Sequence, residues 1–322
     1  MRYEASRRAM GSSFTIVAYG TNERRLAETA DQAFEEIDRI DRQMSNYQPE
    51  SELSALNRAA ARRPALVEPK LFALIADSVR ISEETSGAFD ITVGPLMKAW
   101  GFFRGQGRVP TTDELAQVMT RVGYRHIQLD RARRTVSFER EGVELDLGGI
   151  AKGYAVDVAA EVLRANGVER ALISSGTSSV YALGSPPDQR GWKVTIRDPF
   201  EAGKAADTVY LRNYSLAVSG SYEKFFTVAG KTYAHIMDPR TGLPVEGMLQ
   251  TAVLAPTAAA SDALSTACFV MGSKGSHRYV AGHPNLLVIL YPPAPAPQRF
   301  KSIVLRSPDF NPPGDSLAEI EH

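Results

Sequence analysis

The feature that most constrains the fold is the order of the hydrophobic patterns along the chain. After residue 170, short strand-like runs follow one another, while helical patterns stand in separate blocks. Turns as short as Gly230-Lys231 join neighbouring runs, which is typical of hairpins. The sequence therefore predicts an α+β fold of mostly antiparallel sheets flanked by helices. The predicted strands cover residues 13–19, 127–129, 135–139, 143–147, 171–174, 192–197, 208–211, 225–229, 232–237, 251–254 and 286–291.

Helices are predicted where apolar side chains recur every three to four residues. Residues 23–44 form a long amphipathic pattern of this kind, and residues 71–85 pass the same test. Thr111 and Glu114 have the spacing of a capping box, which opens a third helix. A further helix over residues 154–166 is expected to end at Gly167.

Length and composition fit a soluble globular protein. With 322 residues, one large domain or two closely packed lobes are both possible. We expect residues 1–306 to form a single domain and residues 307–322 a polar, Pro-rich tail that is extended or loosely ordered. Lys plus Arg and Asp plus Glu each number 37, so the formal net charge is zero. Because positive and negative charges balance, net charge gives no reason to expect binding to a nucleic acid or to an acidic membrane.

The N-terminal residues and the single cysteine bear on the compartment. Residues 1–8 are charged and lack the apolar run of a signal peptide, and no cysteine follows that could carry a lipid. The sequence also shows no run long enough to span a membrane, so we expect a cytoplasmic protein. Cys268 lies in an apolar helical run and is expected to be a buried core thiol.

Two segments carry residue types suited to a metal-bound phosphate. Asp262 and Thr266 lie four residues apart in a predicted helix, so their oxygens project from one face. A carboxylate and a hydroxyl are hard ligands that hold Mg²⁺ while leaving positions for water and phosphate. In the segment Asp146–Gly153, two glycines precede a predicted helix start and Lys152. Free backbone N–H groups, a helix N-terminus and a lysine together favour an anionic phosphate group.

One histidine stands in a motif that indicates chemistry. His235 precedes Ile236 and the sequence Asp-Pro-Arg-Thr-Gly at 238–242, which predicts a tight turn. A near-neutral pKa is typical of histidine and suits proton abstraction from a hydroxyl or from water. A structural role is the alternative, and the motif favours a general base.

The ordered motifs resemble the ApbE family, the FAD:protein FMN transferases. The resemblance runs from Met10-Gly11-Ser12 to about Gly272 and includes the motifs at residues 86–96, 146–157, 219–222, 235–242 and 262–266. It implies an ApbE-like fold and an enzyme that cleaves FAD at its pyrophosphate and attaches FMN to a Thr or Ser of an acceptor flavoprotein, releasing AMP. Relatives are often exported lipoproteins, so a trimmed leader is the alternative to a cytoplasmic protein.

The resemblance also implies a set of site residues. Mg²⁺ would be held by Asp262, the Thr266 hydroxyl and the Gly149 carbonyl, with Ser265 contributing. The implied FAD contacts are Met10, Tyr47, Ala88, Phe89, Asp90, Asp146, Lys152 and Ile236. Phe89 is equally well explained as a core residue. For Asp262, the lesser alternative is a solvated carboxylate or a helix cap.

One departure concerns the loop 174–179. Relatives commonly carry Asn-x-Gly-Gly-Asp where this chain has Ser-Ser-Gly-Thr-Ser-Ser. The second glycine and the carboxylate are replaced by hydroxyl residues, which can still bind a nucleotide. The replacement leaves open the fine geometry of FAD and the identity of the acceptor.

Two other functions stay open at this point. The same site using water would be an Mg²⁺-dependent FAD pyrophosphatase that gives FMN and AMP. The other alternative is not an enzyme but a protein that binds FAD without turning it over. The altered loop 174–179 is the observation that suggests it.

Overall fold

The structure is a computed structural model that describes residues 1–296 and 299–321. It combines helices with antiparallel strands, which confirms the predicted α+β class. The chain divides into two compact units. The first unit contains residues 1–41, 150–220 and 247–322, and the second contains residues 42–149 and 221–246. Residues 297 and 298 of the expected main domain and residue 322 of the expected tail lie outside the described residues.

The helices and strands have the following bounds in chain order. The helices are α1 (Glu23–Met44), α2 (Glu52–Ala59), α3 (Pro69–Glu84), α4 (Gly94–Ala99), α5 (Thr112–Met119), α6 (Ala151–Ala165) and α7 (Ala258–Ala281). The first nine strands are β1 (Arg2–Ala9), β2 (Ser12–Tyr19), β3 (Ala65–Leu66), β4 (Ile127–Asp130), β5 (Thr135–Phe138), β6 (Arg170–Ser175), β7 (Ser179–Leu183), β8 (Trp192–Arg197) and β9 (Ala205–Arg212). The others are β10 (Tyr214–Gly220), β11 (Phe225–Val228), β12 (Lys231–Ala234), β13 (Met237–Asp238), β14 (Leu243–Pro244), β15 (Gln250–Ala255), β16 (Leu287–Tyr291), β17 (Ile303–Arg306) and β18 (Leu317–Ile320).

The first unit is organised by an eight-stranded sheet in the order β1-β2-β6-β7-β10-β15-β16-β17. Both faces of its central strands are buried. Tyr214, Leu216 and Val218 of β10 join a core cluster with residues of the separate sheet β8-β9-β18. Side chains alternate along a strand, so Ser215, Ala217 and Ser219 face the other way. Helix α7 packs on this second face, and α6 packs on α7 and on β6 and β7.

The second unit is built from short elements around its own core. Its sheets are β3-β5-β4 and the two-stranded ribbons β11-β12 and β13-β14. Leu96, Trp100, Val122 and Met237 form a buried cluster. The indole Nε1 of Trp100 donates to the Gly242 carbonyl at 2.9 Å, which ties α4 to the turn that follows β13.

Most predicted elements are confirmed, often to within two residues. Helix α1 has the predicted bounds, and Thr111 forms the predicted capping box with Glu114 at the start of α5. The prediction of a strand at 143–147 is wrong, since this segment belongs to no sheet. The Leu145 N–H donates to the Asn57 side chain and its carbonyl accepts from the same amide, so a side chain occupies the place of a neighbouring strand.

The C-terminal segment differs from the expected loose tail. Leu317–Ile320 forms β18, which pairs with β9, and Ala318 is buried in the core of the first unit. The predicted set also lacks strands β1, β3, β7, β10, β14 and β17. Among the described helices, none is long and apolar enough to cross a membrane. Cys268 is buried, and burial raises the pKa of its thiol to about 12.

Candidate functional site

The first unit brings together several of the segments that the sequence singled out. The turn at Met10-Gly11-Ser12 joins β1 to β2, and the adjacent Ser13 carbonyl accepts from the N–H of Gly176 at 2.8 Å. Met10 has a positive φ of 51°, and its N–H donates to the Asp41 carboxylate at 2.9 Å. The loop at 174–179 therefore lies against this turn.

The altered loop also reaches the predicted phosphate-binding lysine. The Lys152 Nζ donates to the Ser178 Oγ at 2.7 Å, and the Ser178 carbonyl accepts from the N–H of Val218 in β10 at 2.8 Å. A neutral hydroxyl can orient the ammonium group without neutralising it. Ser178 therefore positions the Lys152 side chain without placing a further negative charge beside it.

Asp262 lies on the helix α7 and closes the start of helix α6. Its Oδ2 accepts from the Gly153 N–H at 2.9 Å, one of the first N–H groups of α6 that lack a partner within the helix. The residue is only 4% exposed. Burial raises the pKa of its carboxyl, while the charge of Lys152 and the Gly153 N–H oppose that shift.

A second carboxylate makes the reverse connection. Asp157 on α6 accepts from the N–H groups of Ala258 and Ala259, the first residues of α7, at 2.7 and 2.8 Å. Burial raises the pKa of Asp157 to about 7, against the lowering effect of these two bonds. Each helix therefore satisfies the N-terminal N–H groups of the other. The sequence motif 146–157 contained Asp157, but its distance in sequence from residue 258 hid this contact.

Gly153 allows the two helices to approach. A Cβ at this position would lie 2.1 Å from the Ala258 carbonyl oxygen and 2.8 Å from the Asp262 Cβ. No rotation of a side chain can relieve a contact with backbone. The glycine is therefore needed for the close packing that places Lys152 and Asp262 beside each other.

The buried face of α7 is lined by hydroxyl groups. Ser219 Oγ of β10 contacts Ser265 Oγ at 2.7 Å and Thr266 Oγ1 at 3.3 Å. Ser265 Oγ also donates to the Asp262 carbonyl at 2.8 Å, and Thr251 Oγ1 donates to the Ser265 carbonyl at 2.7 Å. Of the predicted metal ligands in this unit, Asp262 and Thr266 thus lie on one helix, with Ser265 tied into a hydroxyl network between them.

The donor set fits Mg²⁺. Across residues 1–296 and 299–321, no group of three or more His, Cys, Asp or Glu side chains could hold a metal by itself. One buried carboxylate and nearby hydroxyls are hard oxygen donors, and Mg²⁺ is commonly bound by one or two carboxylates plus substrate phosphates. Gly149, the remaining predicted ligand, is the last residue of this stretch of the second unit and directly precedes Ile150, the N-cap of α6.

The second unit holds most of the predicted FAD contacts, while Met10 and Lys152 lie in the first. Asp90 is 6% exposed, and its carboxylate accepts from the Thr92 N–H and hydroxyl and from the Tyr124 N–H. Burial raises its pKa, and these three bonds oppose the shift. Ala88 and Phe89 are buried. This part of the motif therefore shapes the turn, and Phe89 has the burial of a core residue.

Tyr47 and Asp146 lie near one another. Burial and the neighbouring Asp146 charge both raise the pKa of the Tyr47 hydroxyl. The Tyr47 ring stacks on Phe103 with centroids 4.5 Å apart, although the residue as a whole is 56% exposed. The Asp146 N–H donates to the Ile91 carbonyl at 2.7 Å, and its Oδ1 accepts from the Gly148 N–H at 2.8 Å. An exposed aromatic face beside a carboxylate is chemically suited to a flat polar ring.

His235 follows the ribbon β11-β12 and has a defined tautomer. Its Nδ1 lies 3.1 Å from the Lys224 carbonyl oxygen, which can only accept. Nδ1 therefore carries the proton in the neutral ring, and Nε2 has the lone pair that a general base uses. The ring meets Phe102 edge-on, with centroids 6.4 Å apart. Ile236 is buried, and its carbonyl accepts from the Val245 N–H at 2.9 Å.

Comparisons with known proteins agree on one family. The model of the ApbE family matches residues 10–290. A curated FAD:protein FMN transferase of Treponema pallidum is 35% identical over 258 residues, covering 76% of this chain and 71% of the relative. A protein of the same name from Haemophilus influenzae is 34% identical, covering 82% of this chain and 80% of its own.

Solved structures give the same result. The crystal structure of an ApbE protein from Thermotoga maritima superimposes with a TM-score of 0.84 at 31% identity, covering 96% of this chain and 98% of that chain. The flavin transferase ApbE from Vibrio cholerae gives a TM-score of 0.81 at 27% identity, with the same two coverages.

The close contact at Gly153 generates a prediction. Replacing Gly153 by Ala is expected to destabilise the protein by about 1–3 kcal/mol or more, because the new methyl overlaps the Ala258 carbonyl and α6 and α7 must separate. Denaturant unfolding measures this change. Gly282→Ala is the control, since a Cβ there meets only the Tyr279 carbonyl oxygen, at 3.8 Å. Equal stability of both variants would contradict the packing argument.

Proposed function

Because the chain belongs to the ApbE family, we propose that it is an enzyme that transfers FMN from FAD to a Ser or Thr hydroxyl of an acceptor flavoprotein, with release of AMP. The observation that carries the proposal is the hydrogen bond from the Gly153 N–H, next to Lys152, to the Asp262 carboxylate. It joins the two motifs for which a phosphate and a metal were predicted from sequence.

The roles in the first unit follow from charge. Lys152 would bind the pyrophosphate of FAD, and the helix N-terminus of α6 adds partial positive charge. Asp262 and the Thr266 hydroxyl would hold Mg²⁺, with the Gly149 carbonyl and Ser265 as the further proposed ligands. When bound, Mg²⁺ would supply positive charge for the phosphoryl oxygens, the electrostatic contribution on which phosphoryl transfer mainly depends. Met10 is proposed to contact FAD from its turn.

The roles in the second unit concern the flavin and the proton. Tyr47, Ala88, Phe89, Asp90, Asp146 and Ile236 are the proposed contacts of the FAD molecule. His235 Nε2 would take the proton of the acceptor hydroxyl. The hydroxyl oxygen would form a bond to the phosphorus of the FMN half, and the bond from that phosphorus to the bridging oxygen would break. AMP leaves with the bridging oxygen.

The test of the function is incubation with FAD, Mg²⁺ and candidate acceptor flavoproteins, followed by mass spectrometry of the acceptor. One covalently attached FMN and an equal amount of AMP are expected. FMN released without any acceptor would instead identify a pyrophosphatase. FAD recovered intact after prolonged incubation would identify a binding protein without turnover.

The metal assignment predicts the behaviour of Asp262 variants. Asp262→Asn is expected to lose Mg²⁺-dependent transfer while remaining folded, because the amide oxygen still accepts from the Gly153 N–H but the negative charge is gone. Asp262→Ala should lose activity and also stability, by about 1 kcal/mol for the missing cap. Transfer rates across a series of Mg²⁺ concentrations, together with unfolding midpoints, measure both effects. A wild-type Mg²⁺ response in Asp262→Asn would falsify the assignment.

The base assignment predicts a different pattern for His235. Replacing it by Ala is expected to slow transfer by about 10²- to 10⁴-fold, the usual cost of a lost general base, with FAD affinity largely kept. Single-turnover kinetics and flavin fluorescence titration measure the two quantities. His126→Ala is the matched control, because His126 lies in the same unit and bonds to Glu139 through its Nδ1. A rate unchanged by His235→Ala would remove the histidine from the chemistry.

A further inference from the structure

The segment Ser219–Tyr222 is one of the motifs shared with the ApbE family. None of the roles proposed above is assigned to a residue of this segment. Its first residue, Ser219, is at the end of β10 on the face that meets α7. Its hydroxyl contacts two residues of α7, Ser265 at 2.7 Å and Thr266 at 3.3 Å. The second contact reaches directly to a proposed metal ligand.

The three hydroxyl groups admit one arrangement of protons that satisfies every contact. Each hydroxyl has a single proton to donate. Ser265 Oγ lies 2.8 Å from the Asp262 carbonyl oxygen, which can only accept, so Ser265 donates there. Ser219 must then donate to Ser265, and Thr266 must donate to Ser219. The direction of the whole chain of hydrogen bonds is fixed by the backbone carbonyl at its end.

This arrangement determines which side of the Thr266 oxygen faces a cation. A hydroxyl binds a metal ion through a lone pair, and its proton has to point elsewhere. With the proton directed at Ser219, the lone pairs of Thr266 Oγ1 face away from β10. A reversed chain would leave the Thr266 proton to point toward the cation, where it is repelled.

The backbone on both sides holds the chain of hydrogen bonds in place. Thr251 of β15 pairs with Ser219 in the sheet and donates through its Oγ1 to the Ser265 carbonyl at 2.7 Å. Ser265 is fully buried. A buried hydroxyl between fixed partners has little freedom to reorient, because an unmade hydrogen bond there costs about 1–3 kcal/mol.

We propose that Ser219 is a positioning residue, which through Ser265 and the Asp262 carbonyl orients the Thr266 hydroxyl so that its lone pair faces the Mg²⁺ ion of the proposed function. The inference rests on that function for the identity of the cation. Ser219 itself does not touch the metal or the substrate. The Ser265 hydroxyl has the same supporting part in this arrangement.

The test is the affinity of the full-length protein for Mn²⁺, used as a paramagnetic substitute for Mg²⁺ and followed by the electron paramagnetic resonance signal of the free ion. Ser219→Ala is expected to weaken Mn²⁺ binding by about 10- to 100-fold, as for other residues that support a metal ligand. The Mg²⁺ concentration for half-maximal transfer should rise in parallel, with the rate at saturating Mg²⁺ largely kept. Ser219→Thr, which keeps a hydroxyl, should bind as the wild type does.

Ser215→Ala is the matched control. Ser215 lies on the same strand and face, and its Oγ also bonds to α7, at Ser261, and to the Ala255 and Thr257 carbonyls. Its loss removes the same kind of contact without touching Thr266. Unfolding midpoints are expected to fall in both alanine variants, while Mn²⁺ affinity falls only in Ser219→Ala. Equal Mn²⁺ affinities in the two variants would overturn the proposal.

A double-mutant cycle with Thr266→Ala isolates the pathway. Once the Thr266 hydroxyl is gone, adding Ser219→Ala should weaken Mn²⁺ binding no further. If the double variant instead loses Mn²⁺ affinity by the product of the two single losses, Ser219 acts independently of Thr266 and the proposal fails. If Ser219→Ala does not fold, Ser219→Cys replaces it, and a smaller loss in the same direction is expected because a thiol is a weak acceptor.

The outcomes separate this proposal from the function on which it rests. Wild-type protein that transfers FMN but binds no Mn²⁺ would remove both the metal assignment and the role of Ser219. Mn²⁺ binding that Asp262→Asn abolishes and Ser219→Ala leaves unchanged would remove the role of Ser219 alone. Mn²⁺ binding that depends on Ser219, in a protein that modifies no acceptor, would uphold Ser219 and refute the transfer.

Discussion

The exchange of carboxylates between α6 and α7 is the interaction on which the first unit's site depends. Asp262 accepts from the start of α6, and Asp157 accepts from the start of α7. Two helix N-termini, each with partial positive charge, are thereby held together. The two buried carboxyl groups offset the repulsion by accepting hydrogen bonds from N–H groups at both helix starts. These contacts fix the start of α6, which carries Lys152, against α7, which carries Thr266.

The sequence predicted the elements with regular periods, and it failed where side chains replace backbone partners. Helix α1 followed from its apolar spacing, and the capping box from Thr111 and Glu114. The segment 143–147 has a strand-like pattern, but Asn57 satisfies its backbone from 88 residues away. No local pattern reveals such a contact. Strand β18 was missed for a related reason, since four residues among polar neighbours form a strand only when β9 is there to pair with them.

The candidate site also has residues that the sequence predicted and contacts that it did not. Asp262, Thr266 and Lys152 stood in motifs whose chemistry could be stated from residue type and spacing. Asp157, Ser178 and Ser219 stood in such segments too, but their contacts join parts far apart in sequence and became visible only with the fold. The replaced loop at 174–179 illustrates the difference. From sequence it indicated a lost carboxylate, whereas in the structure Ser178 gives Lys152 a neutral hydroxyl partner.

A metal site with one carboxylate has a thermodynamic consequence. In the proposed function, Asp262 and Thr266 would provide two side-chain oxygens, while Mg²⁺ prefers about six oxygen ligands, so water and substrate phosphate would supply most of the rest. Within the proposed function, dinucleotide binding therefore strengthens metal binding, and by reciprocity the metal strengthens dinucleotide binding by the same factor. With so few protein ligands, the orientation of each one matters more. A hydroxyl turned the wrong way would remove one of the two proposed side-chain ligands, which is the reason to expect that Ser219 of β10 and Ser265 of α7 fix the direction of the Thr266 proton.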